Sequence, residues 1–434
     1  MTTVSTALIL FALVIFFLGS GIWIFAGLTM VAVSALYLVL DWDPNRIGIL
    51  ISGLISSKAV SWELASIPMF IWMGDIIFRT DISVRLFRGL SPLVSRIPGG
   101  LLHTNVLGCT MFAAISGSSN ATTATVGRIT IPELLRRGYN LDLASGSLAG
   151  AGTFGLLIPP SIAMIVYGVL AEVSIIKLFA AGILPGILMA VLYSGYIAIV
   201  ALLRPDVRPV DDKPASIREM WHGIIDLVPI MVLMGSVLGS IYTGLATPSE
   251  AAAVGISIAI AITVLTGQFN LKMISESLMS TIRLSAMICI LVACASALSA
   301  AFAFMHLPTM ITQGMETLSL SPLGLILVLA LLYTFLGMFI DGTSITVLTV
   351  PIVVPLIIQA GYDPVWFGVF LIIMIEISSL TPPVGLNLYI LQGLTSVDLT
   401  RTVMAALPFF LLLLVGTALL VAFPQIVLWL PSVL

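Results

Sequence analysis

The sequence predicts an all-α polytopic membrane protein of two related halves in inverted orientation, each carrying a re-entrant helical hairpin and a broken helix. Three observations carry this. The 434 residues are 59% hydrophobic and 9% charged, with a mean hydropathy of +1.19, which leaves too little polar surface to cover a soluble globule. One stretch of chain recurs in register at an offset of 223 residues. In both copies a Pro-Pro pair, Pro159-Pro160 and Pro382-Pro383, interrupts a long apolar run, where an unbroken helix tolerates it least.

Apolar runs at residues 7 to 40, 178 to 203, 284 to 304, 321 to 340 and 403 to 430 are of the order of the ~20 residues that a spanning helix needs. The first has no basic leading region and no clear small-residue cleavage site, so it is expected to be spans that stay attached rather than a signal peptide. Two small, polar, glycine-containing clusters follow, ISGSSNATTAT at 115 to 125 and FIDGTSITVLT at 339 to 349. Irregular backbone at membrane depth is tolerated only where protein buries it or it lines a cavity, so these clusters are expected to be hairpin tips. The charged segment RPDVRPVDDKPASIREMWH at 204 to 222 has the prolines and charge of a loop. It divides the chain into halves at 1–210 and 211–434, and its four basic residues suggest a cytoplasmic location.

The repeat sets IPELLRRGYN (131 to 140) on VPLIIQAGYD (354 to 363), and the same gapless offset carries the first Pro-Pro pair onto the second. Three prolines, a glycine and a tyrosine in register exceed what shared composition explains. In the first copy the Gly-Tyr turn follows Arg136 and Arg137; in the second it follows Gln359 and Ala360 and precedes Asp363. Basic residues in short loops favour the cytoplasm, so the two turns are expected on opposite sides. Because 14 of the 17 Lys and Arg lie at or before Arg218, charge orients the second half less firmly than the first.

Inverted repeats around broken helices are the architecture of secondary transporters, with substrate and coupling ions meeting near the midplane. Pro160 is expected in the first turn of a new half-helix, where its missing N–H removes no bond and the carbonyls before it lose their helical donors. Such carbonyls bind cations, while the new helix N-terminus favours a carboxylate or other anion. A kink in a buried helix is the competing interpretation of each pair. At the tips, Ser116, Ser118, Ser119, Asn120, Thr122 and Thr123 offer neutral oxygens, and Asp341, Thr343 and Ser344 add one carboxylate. That is hard-cation chemistry, suited to sodium rather than a transition metal, although small polar residues also serve helix packing in membranes. Glu376, six residues before Pro382, is expected either to face the cavity or to bond internally. Asp75 has Arg79 one turn later as an i,i+4 partner.

Other classes are poorly supported. Cys109, Cys289 and Cys294 lie in apolar stretches without metal-type spacing and are expected to be packing residues. His103, His222 and His306 are scattered, and no catalytic constellation accompanies them. The net charge of −3 marks no nucleic-acid surface. A channel would need polar residues along whole helix faces rather than clustered at two tips and two breaks.

Together these stretches resemble the large membrane subunit of tripartite ATP-independent periplasmic (TRAP) transporters, the DctM type. The resemblance rests on IPMFIWMGDIIFRTDISVRLF (67 to 87), AISGSSNATTATVG (114 to 127), GSLAGAGTFGLLIPPS (146 to 161), LATPSEAAAVG (245 to 255), GMFIDGTSITVLTVPI (337 to 352) and EISSLTPPVGLNLY (376 to 389). It implies a bacterial inner-membrane, elevator-type importer of organic acids such as C4-dicarboxylates, without enzymatic activity and with no cofactor beyond sodium as coupling ion. Its implied partners are a small four-helix membrane subunit and a periplasmic substrate-binding protein. A stand-alone sodium-coupled anion carrier without a binding protein is the alternative.

By the same resemblance, Ser116, Gly117, Ser118 and Ser119 would share one sodium site with Gly152, Thr153 and Gly155. Asp341, Gly342, Thr343 and Ser344 would form a second with Ser378, Thr381 and Gly385. Substrate would lie near Asn120, Thr122, Pro160, Pro383 and Asn387. One departure is Thr122, where many members carry an acidic residue shortly after the first Ser-Gly-Ser, so ion or substrate preference is expected to differ.

Overall fold

The computed structural model describes residues 3–434 apart from 205–206, 208–214, 308, 310–320 and 396. Most of the charged junction predicted between the halves therefore lies outside the described residues. The described chain is helical, with no strand. It opens with α1 (Thr3–Gly19), α2 (Ile24–Leu40), α3 (Pro44–Ala59), a 3-10 turn, α4 (Ser66–Phe78) and α5 (Ile82–Val94). Then come α6 (His103–Ser116), α7 (Ser119–Arg136), α8 (Leu141–Gly152), the single turn α9 (Phe154–Leu157), α10 (Ile162–Ala171) and α11 (Ile175–Leu203). The remainder is α12 (Ile217–Tyr242), α13 (Pro248–Leu265), α14 (Leu271–Phe304), α15 (Pro322–Gly337), α16 (Gly342–Gln359), α17 (Pro364–Ser379), α18 (Leu386–Thr395), α19 (Leu399–Ala422) and α20 (Gln425–Val433).

Among the described residues, seven helical segments are long and apolar enough to cross a bilayer, or eight if α3 and the segment ending in α4 form one span bent by 48°. The apolar run at 7 to 40 is two helices, because Gly21 adopts φ 76° between them and only glycine takes that conformation freely. The run at 403 to 430 likewise divides at Phe423, before Pro424. α6 has 14 residues and α15 has 16. At the helical rise they extend only about 21 and 24 Å, short of a hydrocarbon core of about 30 Å. Both stop at a short turn, Gly117-Ser118 after α6 and Met338 to Asp341 after α15, and the next helix departs from it.

The helices around the breaks keep the register of the repeat. α7 and α16 each span 18 residues, with both ends shifted by the same interval. Ser118 and Asp341 cap them at equivalent places, as Asn140 and Asp363 cap α8 and α17. Both Pro-Pro bonds are cis. The helix after the first break begins later than the sequence predicts. Ser161, extended at φ −120° and ψ 127°, caps α10 by accepting from Met164 N, so Pro160 lies before the cap and not in the first turn. A side-chain oxygen that satisfies an orphan N–H outcompetes proline as the start.

α17 is the centre of the molecule, buried continuously from Val365 to Ser378. α8 is buried from Leu143 to Gly152, with Gly146 and Gly150 against Ala405 and Phe409 of α19. Phe154 stacks on Tyr193 of α11 with ring centroids 5.3 Å apart. Peripheral helices have the opposite character. α12 exposes Ile224, Ile225, Val228, Met231 and Val232, and α15 exposes Leu323, Leu327, Val328 and Leu331. A belt of this kind is stable facing lipid and costly facing water. α12 docks on α5 where two glycines meet: a Cβ at Gly89 would stand 2.7 Å from the Gly223 carbonyl oxygen.

Candidate functional site

The first tip is a two-residue turn between α6 and α7. Gly117 has φ 56°, and a Cβ there would stand 3.0 Å from the Pro160 carbonyl oxygen, so the tip rests against the first break. The hydroxyl of Ser116 shares a 2.8 Å bond with that of Thr122, closing the turn, while the Ser118 side chain caps α7 by accepting from Ala121 N. Gly155 presses on the backbone of Ser118 and Ser119, and Gly152 lies beneath the Thr123 hydroxyl. The structure thus brings together the tip residues Ser116 to Ser119 and the break residues Gly152 and Gly155. Thr153 lies between those glycines, but its hydroxyl donates to Gly150 O at 2.6 Å.

Three residues of α17 and α18, Glu376, Ser379 and Asn387, complete this cluster. Ser119 Oγ donates to Glu376 Oε1, and the same carboxylate oxygen accepts from Leu156 N at 3.2 Å. Ser379 Oγ donates to Glu376 Oε2 at 3.4 Å. Glu376 is 1% exposed, and among the described residues no basic side chain pairs with it. Asn387, fully buried, accepts from Thr123 Oγ1 at 3.1 Å and donates to Ser379 Oγ at 3.2 Å. Sequence reasoning weighed Glu376 without placing it in either site. Its signal was an ionisable group inside an apolar helix. Its carboxylate makes the expected bond to backbone, at Leu156 N, and also accepts from the Ser119 hydroxyl of the first tip.

At the second tip, Asp341 caps α16: Oδ2 accepts from Ser344 N at 3.1 Å, and Oδ1 from Ser344 Oγ at 2.5 Å. Asp341 is exposed, Gly342 and Thr343 are half-buried and Ser344 is buried. Gly342 packs on Ile375, and Gly337 packs on Ser378. The hydroxyls of Ser378 and Thr381 donate back to Ile375 O and Ile377 O at 2.6 and 2.8 Å. Around Gly385 the carbonyl oxygens of Ser379 and Thr381 converge, each 3.1 Å from where a Cβ would stand. The last turn of α17 therefore touches both tips, the first through Glu376 and the second through Ile375 and Ser378.

The residues expected near substrate divide by exposure. Thr122, Pro160 and Asn387 are buried, whereas Asn120 and Pro383 are exposed, and the Pro383 carbonyl accepts from Tyr389 Oη at 2.9 Å. Among the described residues no three His, Cys, Asp or Glu side chains cluster as metal ligands do. The oxygens available are hydroxyls, carbonyls and single carboxylates, which suits a weakly held hard cation. Asp75 makes its i,i+4 pair with Arg79 at 2.7 Å, and Arg79 extends it to Glu276 of α14 at 3.0 Å.

Residues 5–426 match the family described as the tripartite ATP-independent periplasmic transporter, DctM component. The chain belongs to this family. It is similar to the C4-dicarboxylate TRAP transporter large permease protein DctM of Pseudomonas aeruginosa, 33% identical over 396 residues that cover 91% of this chain and 92% of the relative. It is also similar to the sialic acid TRAP transporter large permease protein SiaM of Vibrio cholerae, 30% identical over 94% of each chain. The YdaH transporter of Alcanivorax borkumensis shares the fold, with a TM-score of 0.64 at 15% identity over 88% of this chain and 90% of that one. The protein is thus a TRAP transporter large permease subunit, a multi-pass protein of the inner membrane and a transporter rather than an enzyme.

Proposed function

We propose that this permease imports an organic acid, of which a C4-dicarboxylate is one candidate, coupled to sodium entry. Its substrate would be delivered by a periplasmic binding protein, with a small four-helix membrane subunit as second partner. One observation carries the reading: two polar tips, each seated against a proline-broken segment, meet at the end of one buried helix. Each tip offers oxygens for a cation, and the dipole of the helix that starts there favours an anion. Family membership supports the tripartite assembly. Relatives named for C4-dicarboxylate and for sialic acid leave the particular acid open.

The packing supports one mechanism. The halves 1–210 and 211–434 form inverted repeats, and each contributes one hairpin that re-enters from its own side of the membrane. Sodium binds at Ser116 to Ser119 with Gly152, Thr153 and Gly155, and at Asp341 to Ser344 with Ser378, Thr381 and Gly385. Substrate lies between the tips beside Asn120, Thr122, Pro160, Pro383 and Asn387. α6 to α10 and α15 to α18 move as one elevator body past the apolar outer helices. Cation binding favours the closed tips, so coupling follows from differential affinity for two states. Inward movement of net positive charge adds about 2.3 kcal/mol per charge per 100 mV.

Uptake of a panel of labelled organic acids into proteoliposomes, with each partner omitted in turn, tests the assembly. Uptake that needs the binding protein supports the tripartite reading and names the substrate. Uptake by the permease alone would replace it with a stand-alone carrier.

A further inference from the structure

Glu376 is out of place by ordinary membrane economics. It is an acidic side chain, 1% exposed, in a helix whose other residues from Val365 to Ile377 are apolar or glycine. A buried carboxylate without an opposite charge is strongly unfavourable, and its observed partners are neutral donors: Ser119 Oγ, Leu156 N and Ser379 Oγ. Two of these partners lie in the two segments to which one coupling cation is assigned. Ser119 ends the first tip, and Leu156 follows Gly155 at the first break. The bond to Ser119 crosses 257 residues of sequence.

The repeat sharpens the point. At the second tip the carboxylate is Asp341, supplied by its own copy. The first tip has Ser118 in that capping position and no carboxylate of its own. The residue of the first copy equivalent to Glu376 is Thr153, whose hydroxyl is bonded within its own helix. With Glu376 reaching across, each tip has one carboxylate.

We infer that Glu376 provides the negative charge that matches the coupling cation at the first tip, so that this ion site is completed by the second half of the chain. The inference rests on the sodium-coupled reading above and names a residue for it. The carboxylate holds Ser119 and Leu156 at a fixed separation and offsets the ion's charge in a water-poor setting. The ion then joins the halves electrostatically when it binds, and its departure leaves a charge that disfavours the closed arrangement.

The test is a sodium titration of uptake by the full transporter in proteoliposomes, comparing wild type with Glu376→Gln, Glu376→Asp and Glu376→Ala. A sodium-dependent melting shift of each purified permease is measured alongside. Gln keeps the size and an accepting oxygen but removes the charge. It is expected to raise half-saturating sodium about tenfold or more, with a smaller effect on the maximal rate, while Asp restores part of the affinity. A Gln variant with wild-type sodium affinity would overturn the inference and leave Glu376 a hydrogen-bonding residue. If Gln does not fold, a sodium response kept in Asp and lost in Ala supports the charge, and equal responses in the two overturn it. Wild-type uptake indifferent to sodium would instead remove the coupling reading itself, and the inference with it.

Discussion

A single methyl group decides whether the first tip can close. At Gly155 it would run into the backbone of Ser118 and Ser119, and backbone cannot rotate aside as a side chain does. Gly155→Ala is expected to destabilise the permease by about 1–3 kcal/mol, read as a lower melting temperature with reduced uptake. Asp341 combines two roles that substitutions can separate. Asn keeps the capping oxygen for Ser344 N and loses the charge, whereas Ala loses both, including a cap worth about 1 kcal/mol. Asp341→Asn should therefore melt like wild type yet require more sodium for uptake, and Asp341→Ala should fail on both counts. An unchanged sodium titration in Asn would remove Asp341 from the cation site. Thr122 shares a hydrogen bond with Ser116 across the turn, so Thr122→Ala should alter substrate affinity or coupling; a normal substrate profile would exclude it.

Helices were legible in the sequence where the signals are local. The glycine-containing polar clusters and the Gly-Tyr turns act within a few positions, and α7 and α16 each run from one such cluster to one such turn. The start of α10 was misplaced because two local signals compete, and the Ser161 hydroxyl prevails over Pro160. Glu376 was visible as an ionisable group in an apolar run, but its bonds to Ser119 and Leu156 were beyond local reasoning. Helical periodicity says nothing about which distant segment meets a face, and α17 is buried all round, so no apolar stripe marked one. Helix-scale packing can be tested at the α5–α12 crossing, where a Cβ on Gly223 would stand 2.6 Å from Gly89 O. Gly223→Leu should separate these helices and lower stability by about 1–3 kcal/mol without changing half-saturating sodium. A shift in sodium affinity would show that this crossing is coupled to the tips.

Composition alone placed the whole molecule in a membrane, and the exposed belt on α12 and α15 agrees with it. Its division of labour is also physical. Short helices that end at the tips and breaks pack on the buried α17 together with the long α11 and α19, whose Leu420 carbonyl accepts from Trp366 Nε1 at 3.1 Å, while α12 and α15 carry the apolar belt. The account assigns movement to the short helices and anchorage to the long ones, with sodium as the ligand that biases the states. The most direct test reconstitutes the permease with both partners and measures substrate accumulation under an inward sodium gradient, with sodium equal on both sides, and with sodium replaced by choline. The account predicts accumulation above the external concentration only under the inward gradient. Equal accumulation in all three conditions would contradict it.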